Sequence, residues 1–199
     1  MNLTYNWKDI IFNRKSMINI KRGIMNFRKS LRVPIGFFTG ILFIWRAEPS
    51  LGSFFIGTLF IFFGEIIRFV SSGTLKKFEG VTRNGIYAYT RNPLYIGSFF
   101  LGTGACIISK DLLFSLMFFI FFILLYNRVM LREEKYLIGR YGEDYKLYLE
   151  EVPRIIPRKL NLKYVFRETS IALAIKNKEG KTLFGIALVL VIMIAKMIY

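Results

Sequence analysis

The sequence predicts an all-α, polytopic membrane protein with about five transmembrane helices and a cytoplasmic N-terminus. Two observations predict it. First, apolar runs approaching the ~20 residues needed to cross hydrocarbon recur along a 199-residue chain that is 54% hydrophobic, with a mean hydropathy of +0.42. Second, the basic residues gather in three segments, the N-terminal arm, residues 71–93 and residues 132–181. Five spans put all three on one side, and the positive-inside bias makes that side cytoplasmic. One missed span would divide them.

Twenty-one Phe and eleven Tyr suit lipid-facing and interfacial positions. A formal charge of +16 in a soluble chain would point to nucleic acid. Basic loops beside a membrane account for it here, so no nucleic acid is expected, and no partner protein is evident. The single cysteine, Cys106, excludes an internal disulfide and lies in an apolar run as packing. There is no histidine, so the usual proton carrier near neutral pH is missing.

Residues 1–32 hold eight Lys and Arg against one acid, Asp9, with Ile20, Ile24, Phe27 and Leu31 at helical spacing. They read as a basic amphipathic helix on an anionic leaflet or as a flexible basic arm. The remainder, 33–199, forms the transmembrane domain. A first span runs from about Val33 to Trp45, extendable to Pro49, and Arg46–Ser50 is a tight turn. A second span covers Leu51–Val70 and carries Glu65 and Arg68 near its end. These two can pair at i, i+3 or serve a site, since ionisable groups at membrane depth do one or the other. A polar loop fills 71–93. The third span starts at Pro93 and ends near Ile108, with Gly97, Gly102 and Gly104 allowing close approach of a neighbour. Lys110-Asp111 turns the chain into a fourth span, Leu112 to about Leu131. Residues 132–181 are polar and basic, interrupted by Pro153 and Pro157, and a last span occupies Leu183–Tyr199.

Two polar clusters are candidates for chemistry. Pro93 suits the first turn of a helix and pushes Asn92 out of helical geometry. Arg91 and Asn92 therefore stand at a helix mouth, where unpaired N–H groups favour an anionic or polar ligand edge. Arg132-Glu133-Glu134 leaves the fourth span on the same face, and the short turn at 110–111 must bring the two ends together. Acids at a helix C-terminus are disfavoured by the dipole. Either Arg132 and Lys135 compensate them, or a cationic or hydroxyl-rich ligand does.

Gly85-x-Tyr87-x-x-x-Arg91-Asn92-Pro93-x-Tyr95-x-Gly97, then Glu133-Glu134, then Tyr141-Gly142-Glu143-x-Tyr145-x-x-Tyr148, then Val152-Pro153-Arg154-x-x-Pro157 appear in that order. This set resembles the integral membrane methyltransferases, comprising isoprenylcysteine carboxyl methyltransferases and phospholipid N-methyltransferases, over roughly residues 65–158. The family pattern usually carries His where this chain has Asn92, and Asn cannot titrate. The resemblance implies an S-adenosylmethionine site within 79–158, touching Glu79, Gly80, Val81, Thr82, Tyr87, Asn92, Pro93, Leu94, Tyr95 and Glu133. Aromatic faces such as Tyr87 and Tyr95 can hold a sulfonium, Glu133 an ammonium, and Arg91 or a helix N-terminus a carboxylate. Arg128, Arg132 and Arg154 are candidates to hold an acidic head group, and Glu134 is a candidate to assist proton loss.

The implied reaction is S-adenosylmethionine-dependent methyl transfer to a lipid-linked substrate entering from the bilayer, at the cytoplasmic face, with catalysis by positioning. A carboxylate acceptor needs no base, which suits a chain without histidine and favours O-methylation of a prenylcysteine-type carboxylate. Phospholipid N-methylation, a nicotinamide-dependent membrane reductase with a similar Arg-His-Pro-x-Tyr helix, and a non-catalytic protein on the same scaffold are the alternatives.

Overall fold

The computed structural model describes residues 39–76, 79–157 and 160–198. The basic arm at 1–32 and the start of the first predicted span lie outside these residues. The chain divides into two compact units, Met1–Trp45 and Arg46–Tyr199. The described end of the first is helical. The second is all-helical among the described residues and carries everything that follows.

Helix α1 (Leu51–Thr74) starts where Ser50 and Ser53 cap each other: the Ser50 side chain accepts from the Ser53 N–H and the Ser53 side chain from the Ser50 N–H. A 3-10 turn (Gly85–Ala88) follows in the connecting loop. Helix α2 (Pro93–Ser109) opens on Pro93 as anticipated and ends at Lys110, which adopts left-handed geometry. Helix α3 (Leu112–Tyr141) begins where Asp111 accepts from the Phe114 N–H at 2.9 Å. It ends at Gly142, whose φ of +59° suits glycine. Among the described residues four more helices follow: α4 (Glu143–Glu151), α5 (Leu162–Arg167), α6 (Ile171–Lys176) and α7 (Glu179–Ile198).

Among the described residues three helices are long and apolar enough to cross a membrane, α1, α3 and α7, while α2 is apolar but only 17 residues long. The main difference from expectation is α3. Its apolar run stops near Leu131, as read from the sequence, yet the helix continues ten residues further to Tyr141. Hydropathy marks the hydrocarbon boundary and not the helix end. Good helix formers such as Leu, Arg, Glu and Lys carry the backbone on into water. At ~1.5 Å per residue the helix is about 45 Å long, against about 30 Å of hydrocarbon.

Helices α1 and α2 pack antiparallel through reciprocal glycines. A Cβ on Gly57 would meet the Gly104 carbonyl oxygen at 2.5 Å, and one on Gly64 would meet that of Gly97 at 2.7 Å. The seven-residue spacing on both helices makes one continuous seam of close backbone approach. Helix α3 joins α2 through aromatic rings instead: Phe99 against Phe122 and Tyr95 against Tyr126, while Phe122 and Tyr126 stack on each other along α3 at 4.0 Å. Gly102 leaves room for the Phe118 ring.

Helix α7 is tied to both α1 and α2 by Arg68. Its guanidinium reaches Glu179 at 2.8 Å, Ser98 at 2.7 Å and Thr182 at 3.4 Å. The expected partner, Glu65, stands further off at 3.8 Å. Inter-helix geometry outranks the local i, i+3 option here, because Glu179 and Ser98 offer Arg68 shorter bonds.

Candidate functional site

The two polar clusters singled out from sequence meet at one end of the α1–α2–α3 group. At the opposite end, the Glu48 N–H donates to the Ser109 carbonyl at 3.0 Å and Arg46 pairs with Asp111. Because α2 and α3 are antiparallel and joined by a short turn, the entry of α2 faces the exit of α3. The Tyr95 hydroxyl donates to Glu133 at 2.7 Å, and Arg91 Nη1 reaches Glu134 Oε1 at 3.1 Å.

The adjacent acids have different surroundings because consecutive helical positions differ by about 100°. Glu134 is buried and held from two sides. Arg154 donates to it through Nε at 3.1 Å and Nη2 at 2.6 Å, opposite Arg91. The fork geometry of Arg154 suits both carboxylate oxygens at once. Glu133 is exposed and points along the face that carries Leu137 one turn later. The segment after α4 closes the cluster: the Arg91 N–H donates to the Pro153 carbonyl at 3.0 Å, and the Asn92 amide donates to the Arg154 carbonyl at 3.1 Å. Asn92 leaves α2 without a side-chain cap, and Pro93 is fully buried.

Above this cluster lies a pocket of about 200 Å³. From the loop after α1 it takes Leu75, Lys76, Gly80, Val81 and Thr82, then Tyr87 and Arg91. From the end of α3 it takes Tyr136, Leu137, Arg140 and Tyr141, and from α4 Tyr145 and Tyr148. Five tyrosines and three cations line it, with no acid among them. Arg91 Nε is buried and has no hydrogen-bond partner, an unused donor on a pocket residue. The Tyr148 hydroxyl donates to the Tyr87 carbonyl at 2.8 Å, fixing α4 to the 3-10 turn. Burial pushes the Tyr145 phenol up to about 12, with the Glu134 charge adding to it. Burial likewise raises Tyr87 and Tyr148, and Glu133 contributes to the rise at Tyr87. All three phenols are therefore neutral donors at ordinary pH.

Of the residues named from sequence, Gly80, Val81, Thr82, Tyr87 and Arg91 line the pocket. Tyr95 and Glu133 join below it, and Glu134 and Arg154 form the ion-paired base with Arg91. Asn92 and Pro93 build the helix entry. Leu94 is half-buried in the first turn of α2, and Glu79 is exposed beside the pocket loop. Arg128 and Arg132 are exposed on α3, where the Arg132 Nε–H donates to the Arg128 carbonyl at 3.1 Å. With Lys135 they form a stripe at i, i+4, i+7 on the face turned away from Glu134.

Of the wall formed by Tyr136, Leu137, Arg140, Tyr141, Tyr145 and Tyr148, only Tyr141, Tyr145 and Tyr148 stood out in the sequence, as motif residues, and none was named as a contact. The signal was present: 136/140 and 137/141 recur at i, i+4, and 145/148 at i, i+3, each placing its pair on one helical face. Seeing it required knowing that α3 outlasts its apolar stretch.

A family model described as phospholipid methyltransferase matches residues 37–144, just over half of the chain. Two curated relatives carry the name protein-S-isoprenylcysteine O-methyltransferase. The one from Schizosaccharomyces pombe is 26% identical over 107 residues, covering 54% of this chain and 45% of its own length. The one from Dictyostelium discoideum is 30% identical over 128 residues, covering 57% of this chain and 54% of its own. The chain thus spans about half the length of these relatives. No solved structure matches it.

Proposed function

Because the chain belongs to the phospholipid methyltransferase family, we propose that it is an S-adenosylmethionine-dependent methyltransferase acting on a lipid-linked carboxylate of the prenylcysteine type. The observation that carries the reading is the pocket, with walls of tyrosine, cations and no acid, and an exposed Glu133 one helical turn before its wall residue Leu137. The residues fit the cofactor. Five phenol rings offer stacking surfaces for an adenine and faces for a sulfonium. The spare Nε–H of Arg91 suits a carboxylate. Glu133, with Tyr95 donating to it, suits an ammonium. When bound, S-adenosylmethionine supplies an electrophilic methyl group.

The protein's own part is to bind, orient and exclude water. Glu134 has its oxygens occupied by Arg91 and Arg154, so it serves to fix Arg91 and not to move a proton. An acceptor that is already ionised needs no base, which agrees with the absence of histidine and with neutral tyrosines. Lys76 and Arg140 in the wall attract an acidic head group and disfavour an amine. That charge pattern favours carboxylate O-methylation over phospholipid N-methylation, and the names of the two curated relatives agree.

We place the pocket at the cytoplasmic face of a five-span protein, reached by its lipid substrate from the bilayer. The gathering of two basic segments, 71–93 and 132–181, at the pocket end supports this. The deciding experiment incubates the protein in membranes with methyl-labelled S-adenosylmethionine and a prenylcysteine carboxylate, then releases the label with mild base. Base-labile counts are expected. Label in the phospholipid amine fraction, or binding of NADPH without S-adenosylmethionine in calorimetry, overturns the reading.

A further inference from the structure

The loop that supplies one wall of the pocket is held by a segment lying beyond the residues the family model matches. Helix α1 ends without a basic residue in its last turn, and its C-cap, Leu75, is extended. Its final carbonyls therefore need partners from elsewhere. The Asn177 side-chain amide donates to two of the carbonyls at this end, Ser72 at 2.8 Å and Leu75 at 2.9 Å. The Ser170 N–H takes the Gly73 carbonyl between them, at 2.9 Å. Gly73 has to be glycine for this approach, since a Cβ there would meet Thr169 Cγ2 at 2.7 Å. The same segment grips the far end of the loop. The Asn84 amide donates to Glu168 at 3.0 Å, and Val165 packs into the cluster of Val70, Ile86 and Tyr87. Asn177 is then fixed from its other side, because Lys178 takes a left-handed turn and Glu179 bonds Ser72 and Arg68.

We propose that residues 162–179 are a strap that sets the direction in which the pocket loop leaves α1, and that Asn177 is a positioning residue for cofactor binding. Leu75 and Lys76 are the first pocket residues after the helix, so the two carbonyls that Asn177 holds flank the hinge of the wall. The inference rests on the reading of this pocket as the S-adenosylmethionine site. Loss of the amide frees the loop before ligand arrives, and binding must then order it. The cost falls on cofactor affinity and not on turnover once the site is filled.

The test uses the full chain in detergent or nanodiscs, with S-adenosylmethionine as probe. Asn177→Asp keeps the shape but turns a donor into an acceptor facing two carbonyls, and Asn177→Ala removes the group. The expected result for either folded variant is a rise in cofactor Kd and KM of about tenfold, equivalent to about 1.4 kcal/mol, with kcat at saturating cofactor within about twofold. An unchanged Kd overturns the proposal, as does a fall in kcat with KM unchanged, which marks a merely structural role. Amide hydrogen exchange keeps the two readings apart. If the wild-type protein does not bind S-adenosylmethionine, the functional reading fails. The strap then still stands if exchange quickens at residues 79–87 in Asn177→Asp with 93–109 unchanged, and falls if it does not.

Discussion

Glu134→Gln is the substitution that tests the base of the site most directly. The carboxylate receives Arg154 Nε at 3.1 Å, Arg154 Nη2 at 2.6 Å and Arg91 Nη1 at 3.1 Å. Glutamine keeps the volume and one acceptor oxygen but turns an amide N–H₂ toward guanidinium donors. Breaking a buried pair costs about 3–5 kcal/mol, chiefly because the other charge is left uncompensated. The Arg154 side chain is 35% exposed, so water replaces much of what it loses; Arg91 is 13% exposed and already has an unsatisfied Nε. Discounting the Arg154 share brings the expected loss to about 2–3 kcal/mol. At roughly 2–4 °C per kcal/mol for a chain of this size, the thermal midpoint in detergent should fall by about 4–12 °C. A double-mutant cycle with Arg91→Gln should return a coupling above about 1 kcal/mol. A midpoint within 1 °C of wild type, or no coupling to Arg91, refutes the claim that Glu134 organises Arg91.

Glu133→Ala is expected to abolish measurable S-adenosylmethionine binding in calorimetry while moving the midpoint by no more than about 2 °C, since exposed substitutions cost within ~0.5 kcal/mol. Tyr95→Phe should weaken binding less, by roughly two- to tenfold, for one hydrogen bond of about 0.5–1.5 kcal/mol; an equal loss in both variants would argue against Glu133 as the contact. Gly104→Val should lower the midpoint sharply, because a Cβ there meets the Gly57 carbonyl at 2.5 Å and overpacking costs about 1–3 kcal/mol or more. Gly139→Ala, in open space within α3, should raise it through about 0.5–1 kcal/mol of helix propensity. Stability is expected to fall as pH rises from 10 towards 12. The raised phenols of Tyr87, Tyr145 and Tyr148 stay protonated in the folded chain while their unfolded counterparts ionise. Ultraviolet titration of phenolate checks this, and ionisation of all eleven tyrosines near pH 10 in folded protein contradicts it.

Much of the framework was legible in the chain because it rests on local signals. Pro93 marked the start of α2, Lys110-Asp111 marked the turn into α3, and the glycines of α2 announced a close neighbour. The meeting of Arg91 with the Glu133-Glu134 pair followed from a short turn between antiparallel helices. What was not legible depended on distances along the chain. Arg68 beside Glu65 suggested a local pair or a role at a site, yet its shortest bonds go to Ser98 and Glu179, 30 and 111 residues away. Likewise the clamp of Arg154 on Glu134 needs α4 to fold back, and no periodicity encodes that. Glu133 and Glu134 were given separate roles from sequence, but the two arginines that occupy Glu134 were not legible there.

The helical angle between Glu133 and Glu134 has a bearing on how the chain can vary. A single residue added or lost between the turn at 110–111 and Glu133 would rotate the acids by about 100° and shift them by about 1.5 Å. The outward acid would swing off its tyrosine, and the inward one would leave two guanidiniums stranded. The greasy stretch of α3 therefore works as a ruler: its residue count is dictated by the chemistry at its end, and the thickness of the surrounding lipid must accommodate it.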